Sequence, residues 1–158
     1  MFLQTLESVG KVIDRPPSEQ TKAALENALR YFAQAAPKHT ADEEESLFPR
    51  LRQIDDSEVH SALEKLESLE ADHQRVAPLH SRIEQLGMRY LEAGVLTEAD
   101  VDEFRSSIAS LLSMYKDHIS MEDEVIFPLA SRMLPDSEKT AVATEMAERR
   151  KIKLVTPV

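Results

Sequence analysis

The sequence predicts an all-α fold: an up-down-up-down four-helix bundle, its first helix shortened at the N-terminus, followed by a short fifth helix. Three observations carry this expectation. The 158 residues include only 3 Gly, no Trp and no Cys, and they are rich in Leu, Ala, Glu and Lys, all compatible with helix. Apolar residues recur at spacings of three and four along the long segments. Those segments are joined by short links, so consecutive helices should run antiparallel.

The first amphipathic segment runs from about Phe2 to Ile13 and stops at "DRPPS". Ser18 is placed to cap a second helix that starts near Glu19 and reaches about Ile54. Pro37 and Pro49 fall inside that span and should bend or divide it, because proline removes a backbone donor and crowds the preceding turn. After "DDS" a third helix extends from about Glu58 to Ala93, closed by Gly94. Thr97, with Asp100 three residues on, makes a capping-box-like start to the fourth helix. It runs to about Met133 and should bend or fray near Pro128. Leu134-Pro135-Asp136 ends it, and "DSEKTAVATEMAERRK" reads as a peripheral fifth helix. Residues 1–158 are expected to form a single domain.

One pattern is written twice. "HTADEEESLFP" (39–49) and "HISMEDEVIFP" (118–128) both read His-x3-Glu-x-Glu-x2-Phe-Pro, 79 residues apart. The correspondence extends along both helices. Leu25, Leu29, Phe32, Ala36, His39, Glu43, Leu47 and Ile54 match Phe104, Ile108, Leu111, Tyr115, His118, Glu122, Ile126 and Met133. Six pairs are apolar in both copies, and the other two are His–His and Glu–Glu. The second and fourth helices are therefore expected to be pseudo-equivalent and parallel, at diagonal corners of the bundle.

His-x3-Glu puts both side chains on one helix face, about 6 Å apart along the axis. In a Glu-rich chain that spacing is common, and His60/Glu64 and His80/Glu84 also show it. Position on the apolar stripe separates the cases. The third helix should bury Ala62, Leu66, Leu69, His73, Val76, His80, Ile83 and Tyr90. His60 and Glu64 fall outside that stripe and read as a solvated pair. His80 points inward without Glu84 and reads as a core or channel histidine, with a ligand role as the alternative. Only His39/Glu43 and His118/Glu122 place both members on the apolar face, where burying carboxylates needs compensation. A divalent cation would supply it; an internal His–Glu ion-pair network is the alternative. Counting from the helix ends puts His73 level with His39 and His118, which makes it a third imidazole ligand.

These segments, "HTADEEESLFP", "DHQRV" and "HISMEDEVIFP" in that order, resemble the hemerythrin-like HHE cation-binding domains over nearly the whole chain. The resemblance implies a four-helix bundle with a non-haem iron site in its middle, usually of two ions; an oxygen-rich ligand set also suits Zn or Mn. Carried over by position, His39, His73 and His118 would be imidazole ligands, and Glu43 and Glu122 bridging carboxylates. Tyr115 and Met121 could shape the surroundings of the metals, or simply pack. The oxygen-carrying members have a second His four residues after the third-helix ligand; Ala77 stands there here. Their fourth-helix carboxylate is also spaced differently, which favours the broader HHE group over reversible oxygen transport.

The family also expects a His on the first helix, and this sequence has none before His39. By the 79-residue repeat, the counterpart of His73 falls at position −6. Either residues upstream of Met1 complete the site, or the shortening leaves an open coordination position and uncovered apolar surface, favouring a homodimer or a molecule in the groove.

The remaining composition narrows the function. Without Cys, disulfides, thiolate sites and thiol catalysis are excluded. A formal charge of −10 argues against nucleic acid or an anionic membrane as partner. The apolar runs are too short to span a bilayer, and no signal peptide is evident, so a cytoplasmic protein is expected. The leading expectation is a metal-binding protein that binds or senses O2, NO or peroxide, or handles iron. A di-iron oxidase or peroxidase is second: Glu70-x-x-His73 matches one element of that pattern. A structural or interaction bundle with an incomplete site is third. "ERRKIK" reads as ordinary cation placement at a helix C-terminus.

Overall fold

The computed structural model describes residues 2–152, which form helices and no strand. They divide into two compact units: one of residues 2–35 and 72–117, the other of 36–71 and 118–152.

The first unit contains α1 (Phe2–Gly10), α2 (Glu19–Gln34), the later part of α5 (Ser57–Ala93) and most of α6 (Glu98–Met121). Its core includes Leu6, Ile13, Leu25, Phe32, Ile83, Leu86, Tyr90, Phe104 and Leu111, all buried. The α1 helix ends at Gly10 rather than Ile13, and the chain then turns through bonds such as Val12 N–H to the Val9 carbonyl at 2.9 Å. The Arg105 guanidinium donates to the Gly10 carbonyl at 2.8 Å, satisfying one acceptor at the helix end, and the Tyr90 hydroxyl donates to the Arg15 carbonyl at 2.7 Å. The expected caps are present. Ser18 Oγ accepts from Thr21 N–H at 3.1 Å, and Thr97 Oγ1 accepts from Asp100 N–H at 3.2 Å. Gly94 closes α5 with φ +74°, its N–H bonded to the Tyr90 carbonyl at 2.9 Å. Pro78 lies inside α5 without ending it.

The second unit contains α3 (Ala36–Ala41), a π-helical segment (Asp42–Leu47), α4 (Phe48–Arg52), the early part of α5, the end of α6, a second π segment (Glu122–Ile126), α7 (Phe127–Met133) and α8 (Asp136–Arg149). Phe48, Leu51, Val59, Leu66, Leu69, Ile126 and Leu129 form its core.

The bends expected at the prolines have a specific form. Pro37 is the second residue of α3, Pro49 of α4 and Pro128 of α7, where a missing N–H costs no intrahelical bond. Ahead of the last two, the backbone loosens by one residue. Phe48 N–H bonds the Glu43 carbonyl, and Phe127 N–H bonds the Glu122 carbonyl, each five residues back. A single-turn π segment of this kind is a frequent mark of a functional site. Each repeat thus places its glutamate and its Phe-Pro at the two ends of the same π turn.

Because a Cβ at Gly94 would meet nothing within 4 Å, Gly94→Ala tests backbone conformation alone. It should cost about 1–2 kcal/mol, lowering the thermal midpoint by several degrees. A midpoint equal to wild type would contradict the left-handed closure of α5.

Candidate metal centre

The second unit gathers most of the predicted site. His118 lies in the last turn of α6, and Glu122 opens the second π segment; Glu43 is the second residue of the first. His118 Nε2 sits 2.8 Å from Glu122 Oε1, with both side chains almost wholly buried. Ligand atoms from Glu43, His118 and Glu122 lie within 4.8 Å of one another. His39 differs from its pseudo-equivalent His118. It was expected on the apolar face, but its side chain is 47% exposed. The reason is local: α2 ends at Gln34, and the short α3 has no buried residue. The His39 ring still reaches inward, its Nε2 3.3 Å from Glu43 Oε1 and 3.8 Å from Glu122 Oε1. His73 is partly buried on α5, in the first unit.

Burial pushes the Glu122 carboxyl up, but hydrogen bonds to His118 and Glu43 and the nearby imidazoles outweigh it and hold its pKa below the ordinary 4.5. Two carboxylates with 2% and 3% residue exposure stand among imidazole nitrogens. That oxygen-rich set with neutral nitrogen donors suits a hard or borderline dication such as iron, manganese or zinc.

The other histidines sort as their stripe positions suggested. His60 is exposed, with Asp55 at 3.6 Å. His80 lies in the first unit, its Nε2 3.1 Å from the Tyr115 hydroxyl and its ring stacked on Tyr115 at 5.9 Å between centroids. Phe32 lies on its other flank, and a cavity of about 40 Å³ opens beside it. Met121 packs against the core of the second unit. Glu70 is held by a two-pronged hydrogen bond from Arg52, at 2.9 and 2.8 Å, so the Glu70-x-x-His73 element has its carboxylate already engaged.

Asp42 and the end of α8 take on roles that helical spacing does not predict. Asp42 is 3% exposed and receives Arg149 at 3.0 Å and Arg150 at 2.5 Å. Those arginines are not just solvated cations at a helix end, and α8 is not merely peripheral: it packs on the first π segment. The available signal was an Asp that falls one residue before Glu43 and has Met121 as its counterpart in the repeat.

Burial alone lowers the His80 pKa from its ordinary 6.5. The unfolded chain therefore takes up a proton at this position before the folded one does. Stability contributed by neutral His80 should be full above about pH 6.5 and fall as pH drops toward the lower folded pKa. An imidazole titration followed by NMR should give a His80 midpoint below 6.5, and His80→Gln should remove that part of the acid sensitivity. A midpoint at or above 6.5 would contradict the buried, neutral assignment.

Residues 1–130 match the family model described as hemerythrin HHE cation binding domain. An uncharacterized protein of Haemophilus influenzae (strain ATCC 51907 / DSM 11121 / KW20 / Rd) is 29% identical over 129 residues, covering 82% of this chain and 69% of that protein. No solved structure matches significantly.

Proposed function

The chain belongs to the hemerythrin HHE cation binding domain family, and on that premise we propose that it is a non-haem iron protein that binds or senses O2, NO or peroxide, or handles iron. Residues 1–158 act as one domain, an up-down-up-down four-helix bundle with α8 added. The residues that would hold two iron ions are His39, Glu43, His73, His118 and Glu122. The protein works in the cytoplasm.

One observation carries this reading: two glutamates, each within the first two residues of a π turn, are almost wholly buried beside a buried imidazole. Isolated buried carboxylates are costly, and pairing two of them with His39 and His118 alone leaves the balance dependent on imidazole protonation. A dication supports both carboxylates with the histidines neutral. Cation binding is what the family provides, and the donor set fits it. When bound, iron supplies a redox-active Lewis acid that takes small oxygen or nitrogen ligands. The residues hold it by complementary roles: the carboxylates neutralise charge, and the imidazoles give neutral nitrogen donors. His39, half in solvent, stands at the rim, where an incoming small molecule meets the site first.

Glu70, the carboxylate of the oxidase or peroxidase pattern, is engaged by Arg52. No helix among the described residues is long and apolar enough to cross a membrane.

Metal analysis by mass spectrometry, on protein purified without added metal, should find about two iron ions per chain. Chelation should lower the melting temperature visibly, because a ligand at a hundred times its dissociation constant stabilises by about 2.7 kcal/mol. Metal-free protein whose melt ignores both iron and chelator would reject the proposal.

A further inference from the structure

The two copies of the repeat hold their π turns by different means. In the second copy, Met121, Val125 and Leu129 pack into the apolar core. The equivalent positions of the first copy are Asp42, Ser46 and Arg50, and arginines replace the apolar packing. Arg149 Nη1 donates to Asp42 Oδ1 at 3.0 Å, and its Nη2 donates to Ser46 Oγ at 2.8 Å and Glu45 Oε2 at 3.1 Å. Arg150 Nη2 donates to Asp42 Oδ2 at 2.5 Å. Arg50 donates to the Ser46 carbonyl at 2.8 Å, and also to Glu138 at 2.7 Å and Glu145 at 2.7 Å on α8. The π turn is therefore gripped at its first residue and again at residues 45 and 46, with Glu43 between.

We propose that Asp42, Arg149 and Arg150, assisted by Arg50, are positioning residues for the Glu43 carboxylate, so that α8 sets the geometry of one of the two carboxylate ligands. The inference rests on the metal-centre reading. It goes beyond the family match, which ends at residue 130 and does not include α8. A π turn has one residue more than the α-helical register accommodates, and such turns are rare and frequent at functional sites. Where such a turn carries a ligand, an outside anchor fixes the ligand's direction. Partners of this kind affect metal affinity about 10–100-fold. Asp42 is 3% exposed, and its oxygens accept from two guanidinium groups.

The test uses Co2+ as probe, with affinity from competition titration and ligand geometry from its visible absorption bands. Asp42→Asn keeps shape and loses charge; Arg149→Lys keeps charge and loses the fork that joins Asp42, Glu45 and Ser46. Arg82→Gln, which breaks the Arg82–Glu103 pair of the first unit, is the control for loss of an ion pair. Asp42→Asn and Arg149→Lys should each weaken Co2+ binding about 10–100-fold and change the band pattern, while Arg82→Gln changes neither. Wild-type affinity and bands in both clamp variants, whatever their melting temperatures, would overturn the inference and leave the metal-centre reading intact. Wild-type protein that takes up neither Co2+ nor iron would overturn both. Should Asp42→Asn fail to fold, Arg149→Lys alone decides.

Discussion

Two glutamate carboxylates are withdrawn from water in the second unit, beside a buried histidine, and the rest of that unit is arranged to make this tolerable. Each carboxylate belongs to a π turn, and each π turn ends at a Phe-Pro that starts a new α-helix. The proline rejects the ordinary helical register at that point. The extra residue ahead of it lets the chain absorb this without a loop, which would have exposed the site. The buried phenylalanine of the first copy, Phe48, then anchors α4 in the core. Electrostatic cost, backbone register and packing are therefore solved by one short motif, used twice.

The duplication is not symmetrical in its physics. The second copy rests on apolar contacts, whose strength is non-directional and scales with area. The first rests on guanidinium–carboxylate pairs, which are directional and fail sharply when one partner is lost; breaking a buried pair typically costs about 3–5 kcal/mol. His118 is enclosed, whereas His39 is half in solvent. One side of the site is thus closed and apolar-supported, and the other is open and charge-supported. The half-exposed His39 lies on the open side, and α8 packs against the π turn there.

Much of this was legible in the sequence, because it depends on local rules. The caps at Ser18 and Thr97, the closure at Gly94 and the break at Leu134-Pro135 need only neighbouring residues to be read, and the structure shows each of them. The candidate carboxylates were visible because the repeat places Glu43 and Glu122 within otherwise apolar stripes. Three features were not legible. Proline signals a disturbed helix but not its form, so the π turns were read only as bends. Helical spacing fixes a face only while the helix is continuous, and the interruption after Gln34 let His39 turn toward solvent. The Asp42–Arg149–Arg150 cluster joins residues more than a hundred positions apart, and no periodicity links them. A basic helix end in isolation looks like a surface.

The burial of Glu43 and Glu122 is explained if both carboxylates are metal ligands. The most direct measurement is an iron-edge X-ray absorption spectrum of the iron-loaded chain, recorded beside a Glu43→Gln/Glu122→Gln double variant. The wild type should show an oxygen and nitrogen ligand shell with imidazole scattering, and the variant should lose or markedly simplify it. Identical spectra from the two proteins would place the iron elsewhere and contradict the claim.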